Sequence, residues 1–224
     1  MSPSTAMIDS TTEIQGFKIT NGGNIANGGG MFIGNASPVL TRLCVTGNTA
    51  TDNGGGLYIY YGSPTLTHVT VTCNTANGSG GGLFICNSSP TLTHVTMTCN
   101  TASNRGGGLY IWGVKGGNPT LTDVIVSGNT ASNCGGGLYI YRSCPTLTDV
   151  TVTDNTVSYY DGGGLFIYES DPTLTDVSVS GNTATGCGWG GGGGLYIHAS
   201  DAILTDVTVS GNTATGCGWG GGGL

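Results

Sequence analysis

The sequence predicts an all-β fold: a right-handed parallel β-helix (solenoid) of about eight coils, with 26 to 30 residues and three short strands in each coil. First, glycine triplets recur along the chain at a repeat length typical of stacked repeat proteins. Second, apolar and polar residues alternate with a period of two, as in strands with one buried face. Third, a unit this short cannot bury its apolar face alone, so neighbouring units must stack. The apolar residues after the triplets mark the repeat: Met31, Leu57, Leu83, Leu109, Leu138, Leu165, Leu195 and Leu224.

The strands of each coil are predicted in a fixed order, as the segments "GGGLYIY", "PTLT" and "VTVT". Because this order repeats, we expect each segment to pair in parallel with its copy one coil on, about 4.8 Å away, which gives a rod about 40 Å long. Parallel connections are right-handed by default. His68 interrupts the alternation between the second and third segments, which predicts a bend at that position.

The chain is expected to form one domain. Residues 1–13 are predicted to be a lead-in, and residues 14–224 a single β-helix. Leu224 opens a further strand with no polar or helical cap after it, so we expect this end to be uncapped. No apolar run approaches ~18 residues and the start lacks a basic, then apolar, segment, so neither membrane insertion nor a signal peptide is predicted in the chain as given.

The composition favours a soluble, folded chain. Of its 224 residues, 44 are glycine, 37% are apolar and 8% are charged, and the net charge is −7. The apolar share is enough for a core, and the low basic content argues against a nucleic-acid partner. No catalytic residue is predicted, because the basic residues lie in separate coils and match no catalytic motif. These basic residues are Lys18, Arg42, Arg105, Lys115 and Arg142.

An asparagine recurs at the same place in each coil and is always followed by threonine. An amide both donates and accepts, so stacked copies can bond along the rod and satisfy backbone groups of the turn. We therefore predict a structural ladder rather than a chemical site. Its members are Asn48, Asn74, Asn100, Asn129, Asn155, Asn182 and Asn212.

Aromatic residues occupy the outward positions of the first strand. If the leucines and isoleucines of that strand point inward, the rings form a flat exposed stripe, which predicts an interface with another rod, a glycan or another domain. The alternative is that stacked rings only stabilise the sheet. The predicted interface or ligand face comprises Tyr58, Tyr60, Phe84, Tyr110, Trp112, Tyr139, Tyr141, Phe166, Tyr168 and Tyr196.

Threonine pairs form a second outward array, on the strand that reads Thr-Leu-Thr. The array resembles the Thr-x-Thr faces of β-solenoid antifreeze proteins, which implies ice binding. Threonine is also the usual residue of an exposed strand, so a purely structural array is the alternative. The candidate ice-type face comprises Thr65, Thr67, Thr91, Thr93, Thr120, Thr122, Thr146, Thr148, Thr173 and Thr175.

Two smaller sets of residues give further expectations, about calcium and about a disulfide. One row of carboxylates could stay exposed at the bend or bridge calcium ions, and these are Asp123, Asp149, Asp176 and Asp206. No cofactor or other metal site is predicted. Cys187 and Cys217 share a column near turns, which makes them the candidate disulfide, since stacked Cα atoms fall within disulfide range.

The repeat "SPTLTHVTVTCNTANGSGGGLFI", with "GFKITNG" as an earlier coil, resembles right-handed parallel β-helix repeat proteins of the pectate-lyase-like superfamily. It is most similar to repeats of bacterial surface proteins and polymorphic outer-membrane proteins. The resemblance implies the fold but leaves function open, because this architecture serves enzymes, adhesins and stalks alike.

The sequence therefore predicts a non-catalytic structural or adhesive protein, extracellular or at a cell surface. Its expected partner is itself, head to tail into a rod or filament or laterally. The alternatives are an ice-binding or glycan-binding module and, less favoured, a polysaccharide lyase or hydrolase. Three measurements distinguish these classes. Turnover of a polysaccharide would indicate an enzyme, ice shaping or retention on a glycan column would indicate a binding module, and rod-shaped or filamentous particles would indicate a structural protein.

Overall fold

The computed structural model describes residues 9–113, 117–186, 191–215 and 221–223. These residues form parallel strands stacked in four sheets, and the predicted all-β solenoid is confirmed. The described residues contain no helix, and so none that could cross a membrane.

Sheet 1 contains the Thr-Leu-Thr strands and their equivalents. Its strands are Glu13–Gln15, Val39–Thr41, Thr65–Thr67, Thr91–Thr93, Thr120–Thr122, Thr146–Thr148, Thr173–Thr175 and Ile203–Thr205. Sheet 2 follows after one bend. Its strands are Lys18–Thr20, Cys44–Thr46, Thr70–Thr72, Thr96–Thr98, Ile125–Ser127, Thr151–Thr153, Ser178–Ser180 and Thr208–Ser210.

Sheet 3 is the difference from the predicted three strands per coil. A short strand follows each ladder asparagine and pairs with its copies: Ile25–Asn27, Thr49–Asn53, Thr75–Ala76, Thr101–Ala102, Thr130–Ala131, Thr156–Val157, Thr183–Ala184 and Thr213–Ala214. Most of these strands have two residues, too few for alternation to be visible in the sequence. Sheet 4 follows the glycine triplets, with strands Met31–Gly34, Leu57–Tyr60, Leu83–Cys86, Leu109–Trp112, Leu138–Tyr141, Leu165–Tyr168 and Leu195–His198.

The register stacks each residue on its equivalent one coil away. Leu83, for example, pairs with Leu57 on one side and with Leu109 on the other. Inward columns of leucine, isoleucine and valine consequently form one continuous core, and in the central coils they are completely buried. Outward side chains form columns in the same way, so a feature repeated in the sequence becomes a line along the rod.

Two backbone devices shape the coil. The bend between sheets 1 and 2 places one residue per coil in the left-handed region: Gly16 has φ of 72° in the first coil, and the equivalent residues of the next seven coils have φ of 51° to 53°. His68 is one of these, at the bend predicted from the sequence. Asp, Asn and His tolerate this region better than most side chains. The glycine triplet permits close packing: a Cβ added to Gly108 would lie 2.8 Å from Val126 Cγ1 and 2.9 Å from Asn129 Nδ2.

Candidate functional site: a cleft beside an aromatic ladder

The outward aromatic column of sheet 4 is a stack of rings. Successive ring centroids from Phe32 to Tyr196 lie between 4.6 and 5.4 Å apart. The prediction that this column is bare is wrong for its inner rings, which are buried: Tyr58, Phe84, Tyr110, Tyr139 and Phe166. Only the first ring, Phe32, is clearly exposed, at 51%.

The segment before each glycine triplet covers these rings. The first glycine of the triplet has a positive φ and passes against the base of the ring, so that a Cβ on Gly106 would lie 2.9 Å from Tyr110 Cβ. The residue before that glycine stacks on the equivalent residue of each neighbouring coil, and together these residues form a column that covers the rings. This covering column comprises Asn53, Ser79, Arg105, Cys134 and Asp161, joined through backbone bonds to the glycines of the preceding coil.

A cleft of about 340 Å³ opens between the covering column and the strands of sheet 4. One wall comes from the covering segment and the other from sheet 4. The lining residues are Arg105, Asn133, Cys134, Tyr139, Tyr160, Asp161, Phe166, Tyr168, Tyr196 and His198. Aromatic walls with a few polar groups are typical of small-molecule sites.

The charged and polar groups of the cleft are held close to the rings. The Arg105 guanidinium carbon lies 5.5 Å from the centroid of the Tyr139 ring, within cation–π range. Arg105 Nε is buried without a hydrogen-bond partner among the described residues, and Asp161 is almost fully buried. Burial raises the pKa of the Cys134 thiol to about 11, although Arg105 opposes the rise. This thiol is therefore protonated at neutral pH and is not an activated nucleophile.

The second aromatic column of sheet 4 remains half-buried, so the exposed part of the predicted face lies here. Its aromatic members are Tyr60, Trp112, Tyr141 and Tyr168, with Cys86 and His198 in the same column. Tyr141 and Tyr168 stack at 5.4 Å, and Tyr168 and His198 at 5.5 Å. Arg142 Nε donates to Glu169 Oε2 at 2.6 Å beside this column.

The asparagine column forms a continuous hydrogen-bonded ladder. Asn100 is typical, because its backbone N–H and its Nδ2 both donate to Asn129 Oδ1 in the next coil, at 2.9 and 3.0 Å. Its Nδ2 also donates to Val71 O at 2.9 Å. From Asn48 to Asn182 the side chains are buried, and Asn212 is half-buried. The geometry is that of a structural element with no access for a ligand.

The threonine pairs of sheet 1 lie in register on the outer surface. Thr91 and Thr93 pair with Thr65 and Thr67 in one direction and with Thr120 and Thr122 in the other. The array continues through Thr146, Thr148, Thr173 and Thr175. These side chains are exposed or half-exposed. Ice binding by this face stays a prediction.

The row of carboxylates is exposed at the bend between sheets 1 and 2. Its members Asp123, Asp149, Asp176 and Asp206 share one backbone conformation with His68 and His94. His94 Nδ1 lies 3.5 Å from Asp123 Oδ2, and the rings of His68 and His94 stack at 4.7 Å. No three His, Cys, Asp or Glu side chains converge as metal ligands anywhere in the described ranges, and calcium bridging along the row stays a prediction.

The structure describes six of the eight cysteines, which do not include the predicted disulfide pair. Six lie in the described ranges as free thiols: Cys44, Cys73, Cys86, Cys99, Cys134 and Cys144. The predicted disulfide between Cys187 and Cys217 lies outside the described residues.

Sequence reasoning missed the wall of the cleft, namely Arg105, Cys134, Tyr160 and Asp161. Their signal was present, because the covering column changes its residue type from coil to coil while the glycine column that follows it stays constant. Tyr160 lies beside an insertion. The residues that line this wall of the cleft are therefore those that differ between coils, and not those that repeat.

Comparison with known families gives two matches. The profile described as Right handed beta helix region matches residues 121–223. The profile described as Chlamydia polymorphic membrane protein (Chlamydia_PMP) repeat matches residues 42–60, which contain one strand each of sheets 2, 3 and 4. Searches of curated proteins and of solved structures find no significant match. The four-sheet parallel coil has the architecture of a parallel β-helix, and the chain is similar to right-handed β-helix proteins over residues 121–223 and to polymorphic membrane protein repeats over residues 42–60.

Proposed function

We propose that the chain is a non-catalytic structural or adhesive β-solenoid displayed at a cell surface. The observation that carries this proposal is the uniformity of the coil: the same outward columns run along the rod from coil to coil. A uniform surface suits repeated weak contacts, whereas catalysis uses one local constellation. The polymorphic membrane protein repeat supports a surface-associated role.

Self-association is the finer part of this proposal. In the last described coil Leu204 is 40% exposed, whereas its equivalent Leu174 is completely buried by the following coil. The edge of a β-solenoid also presents unpaired backbone groups. The same edge can pair with a following coil or with the first coil of a second copy, and a head-to-tail contact of that kind does not close, so it produces filaments.

The test is particle size with and without a cap. The purified chain is examined by sedimentation velocity and electron microscopy, beside a version with a short charged helix appended after Leu224. We expect rods longer than one chain that shorten on capping. A monodisperse monomer in both samples would contradict end-to-end assembly.

The cleft favours glycan binding as a second candidate function. The ring faces of the ladder are occupied by neighbouring rings, so a sugar would be held by ring edges and by the polar groups of Arg105, Tyr160 and His198. Such a mixture of aromatic edges and hydroxyl, imidazole and guanidinium donors suits a neutral or acidic saccharide.

Two adjacent tyrosines provide a matched test on a glycan array. Tyr160 lines the cleft and is 38% exposed, whereas Tyr159 is 65% exposed and is not part of the lining. We expect Tyr160→Ala to weaken retention and Tyr159→Ala to leave it unchanged. Equal retention by both variants would rule out the cleft as the glycan site. Release of new reducing ends from a bound polysaccharide would replace the binding role with catalysis.

A further inference from the structure

The bend between sheets 1 and 2 carries a charge pattern that the proposed function does not use. Seven exposed residues occupy the bend, one per coil, with φ of 51° to 53°. In chain order this corner row is Arg42, His68, His94, Asp123, Asp149, Asp176 and Asp206. Its first three members are basic or can be protonated, and its last four are acidic.

The order of charges along the row suits pairing between two copies of the chain that run in opposite directions. Reversing it about Asp123 places Arg42 opposite Asp206, His68 opposite Asp176 and His94 opposite Asp149. Asp123 lies at the centre, where its own His94 is 3.5 Å away. A parallel alignment would instead place acidic residues opposite acidic residues. Three of the twelve acidic residues of the chain precede residue 113 and nine follow it, so antiparallel alignment also separates the two acidic halves.

An exposed apolar side chain marks the same centre. Ile125 is 45% exposed, and it is the one exposed large aliphatic residue among the described residues between 34 and 202. It replaces the threonine found in the neighbouring coils, since it pairs with Thr96 and Thr151. A shallow groove of about 360 Å³ surrounds it, lined by His94, Thr96, Asp123, Ile125, Asp149 and Thr151.

We propose that a second copy of this chain docks antiparallel along the corner row. A twofold axis through the level of Asp123 brings the two Ile125 side chains together and pairs the six other members of the row with residues of the opposite kind. The two Asp123 carboxylates meet at the axis, each beside its own His94. A twofold contact is closed, so it yields dimers and not filaments. The proposal therefore goes beyond the end-to-end contact and does not depend on it.

The contact is weak and depends on salt. Exposed ion pairs change an association constant by up to about fivefold each, and salt screens them. The charged groups beside the two histidines are Arg42 next to His68 in the row, and Asp123 beside His94, while the flanking strand columns are threonines. We expect dimerisation to weaken as the salt concentration rises.

A charge swap tests the antiparallel geometry. One variant carries Arg42→Asp and His68→Asp, a second carries Asp176→His and Asp206→Arg, and a third carries all four changes. Each new residue type already occurs in the row with this backbone conformation, so folding should be preserved. Six rungs separate Arg42 from Asp206, about 29 Å, so the two cannot contact each other within one chain.

The readout is sedimentation equilibrium at low salt, with circular dichroism as the check on folding. We expect tenfold or greater loss of dimer in the first two variants and recovery in the third. Ile125→Thr should also weaken the dimer, whereas Asp154→Asn, at another bend, should not. Failure of the third variant to recover, or a monomer at millimolar wild-type concentration, would overturn the proposal. Long particles from a chain that forms no dimer would leave the end-to-end contact intact and reject this one.

Discussion

Replacing Asn100 by alanine should destabilise the rod more than any outward substitution. The side chain is completely buried and its Oδ1 accepts from Asn74 N and Asn74 Nδ2, at 3.0 and 3.1 Å. Truncation leaves the buried N–H of Asn74 without an acceptor and removes the bonds from Nδ2 to Val71 O and Asn129 Oδ1. An orphaned buried donor costs about 1–3 kcal/mol and each of the two lost bonds about 0.5–1.5 kcal/mol, so we expect a total of about 2–6 kcal/mol.

The assay is chemical denaturation followed by circular dichroism, with two comparison variants. Thr93→Ala, on the outer face, should cost less than about 0.5 kcal/mol. Asn100→Asp preserves shape but loses the two donors, so it should cost at least as much as Asn100→Ala near neutral pH. A small effect of Asn100→Asp would show that packing, not hydrogen bonding, maintains the column. Equal, small effects of Asn100→Ala and Thr93→Ala would refute the ladder's energetic role.

Three further predictions follow from the fold. Gly108→Ala should destabilise the fold by about 2 kcal/mol or more, because the added Cβ would overlap Val126 and Asn129. Gly128 has open space around it but φ of 61°, so Gly128→Ala should cost only about 1–2 kcal/mol, and denaturation midpoints compare the two variants. Burial raises the pKa of Tyr110 from 10.0 to about 12, so the free energy of unfolding should be retained below pH 10 and fall as the pH rises from 10 toward 12. A free energy of unfolding that stays constant between pH 10 and pH 12 would contradict this. Lysine substitution of four residues on the threonine face, Thr91, Thr93, Thr120 and Thr122, should preserve the fold and self-association. Loss of an ice-shaping activity in this variant would instead establish the ice-binding role.

The core and the ladder could be predicted from the sequence because a solenoid converts period into position. A residue that recurs once per coil must stack on its copies, so the leucine columns and the asparagine column needed no knowledge of the third dimension. The short strands of sheet 3, such as Thr101–Ala102, escaped prediction for a physical reason. Two residues provide one inward and one outward side chain, which is too little for a periodic signal.

The burial of the aromatic rings could not be predicted from alternation. Alternation assigns Tyr110 to the outer side of its strand, and the structure agrees. Its exposure depends on the segment before the glycine triplet, which folds back over the ring through Gly106. That path is set by backbone angles at glycines, and the sequence around them does not report its direction. The cleft formed beside that segment was therefore also beyond the sequence.

The asparagine ladder has an electrical consequence for the rod. The rungs from Asn48 to Asn182 each donate to the asparagine of the following coil and accept from the preceding coil. Strand amides point alternately and largely cancel, whereas the ladder amides align and polarise one another. The wall of the rod thus contains an axial dipole with its positive pole toward the later coils. Nine of the twelve acidic residues lie after residue 112, toward that pole, as acidic side chains gather at the positive end of a helix. Coils that look alike from the side therefore differ in electrostatic potential along the axis.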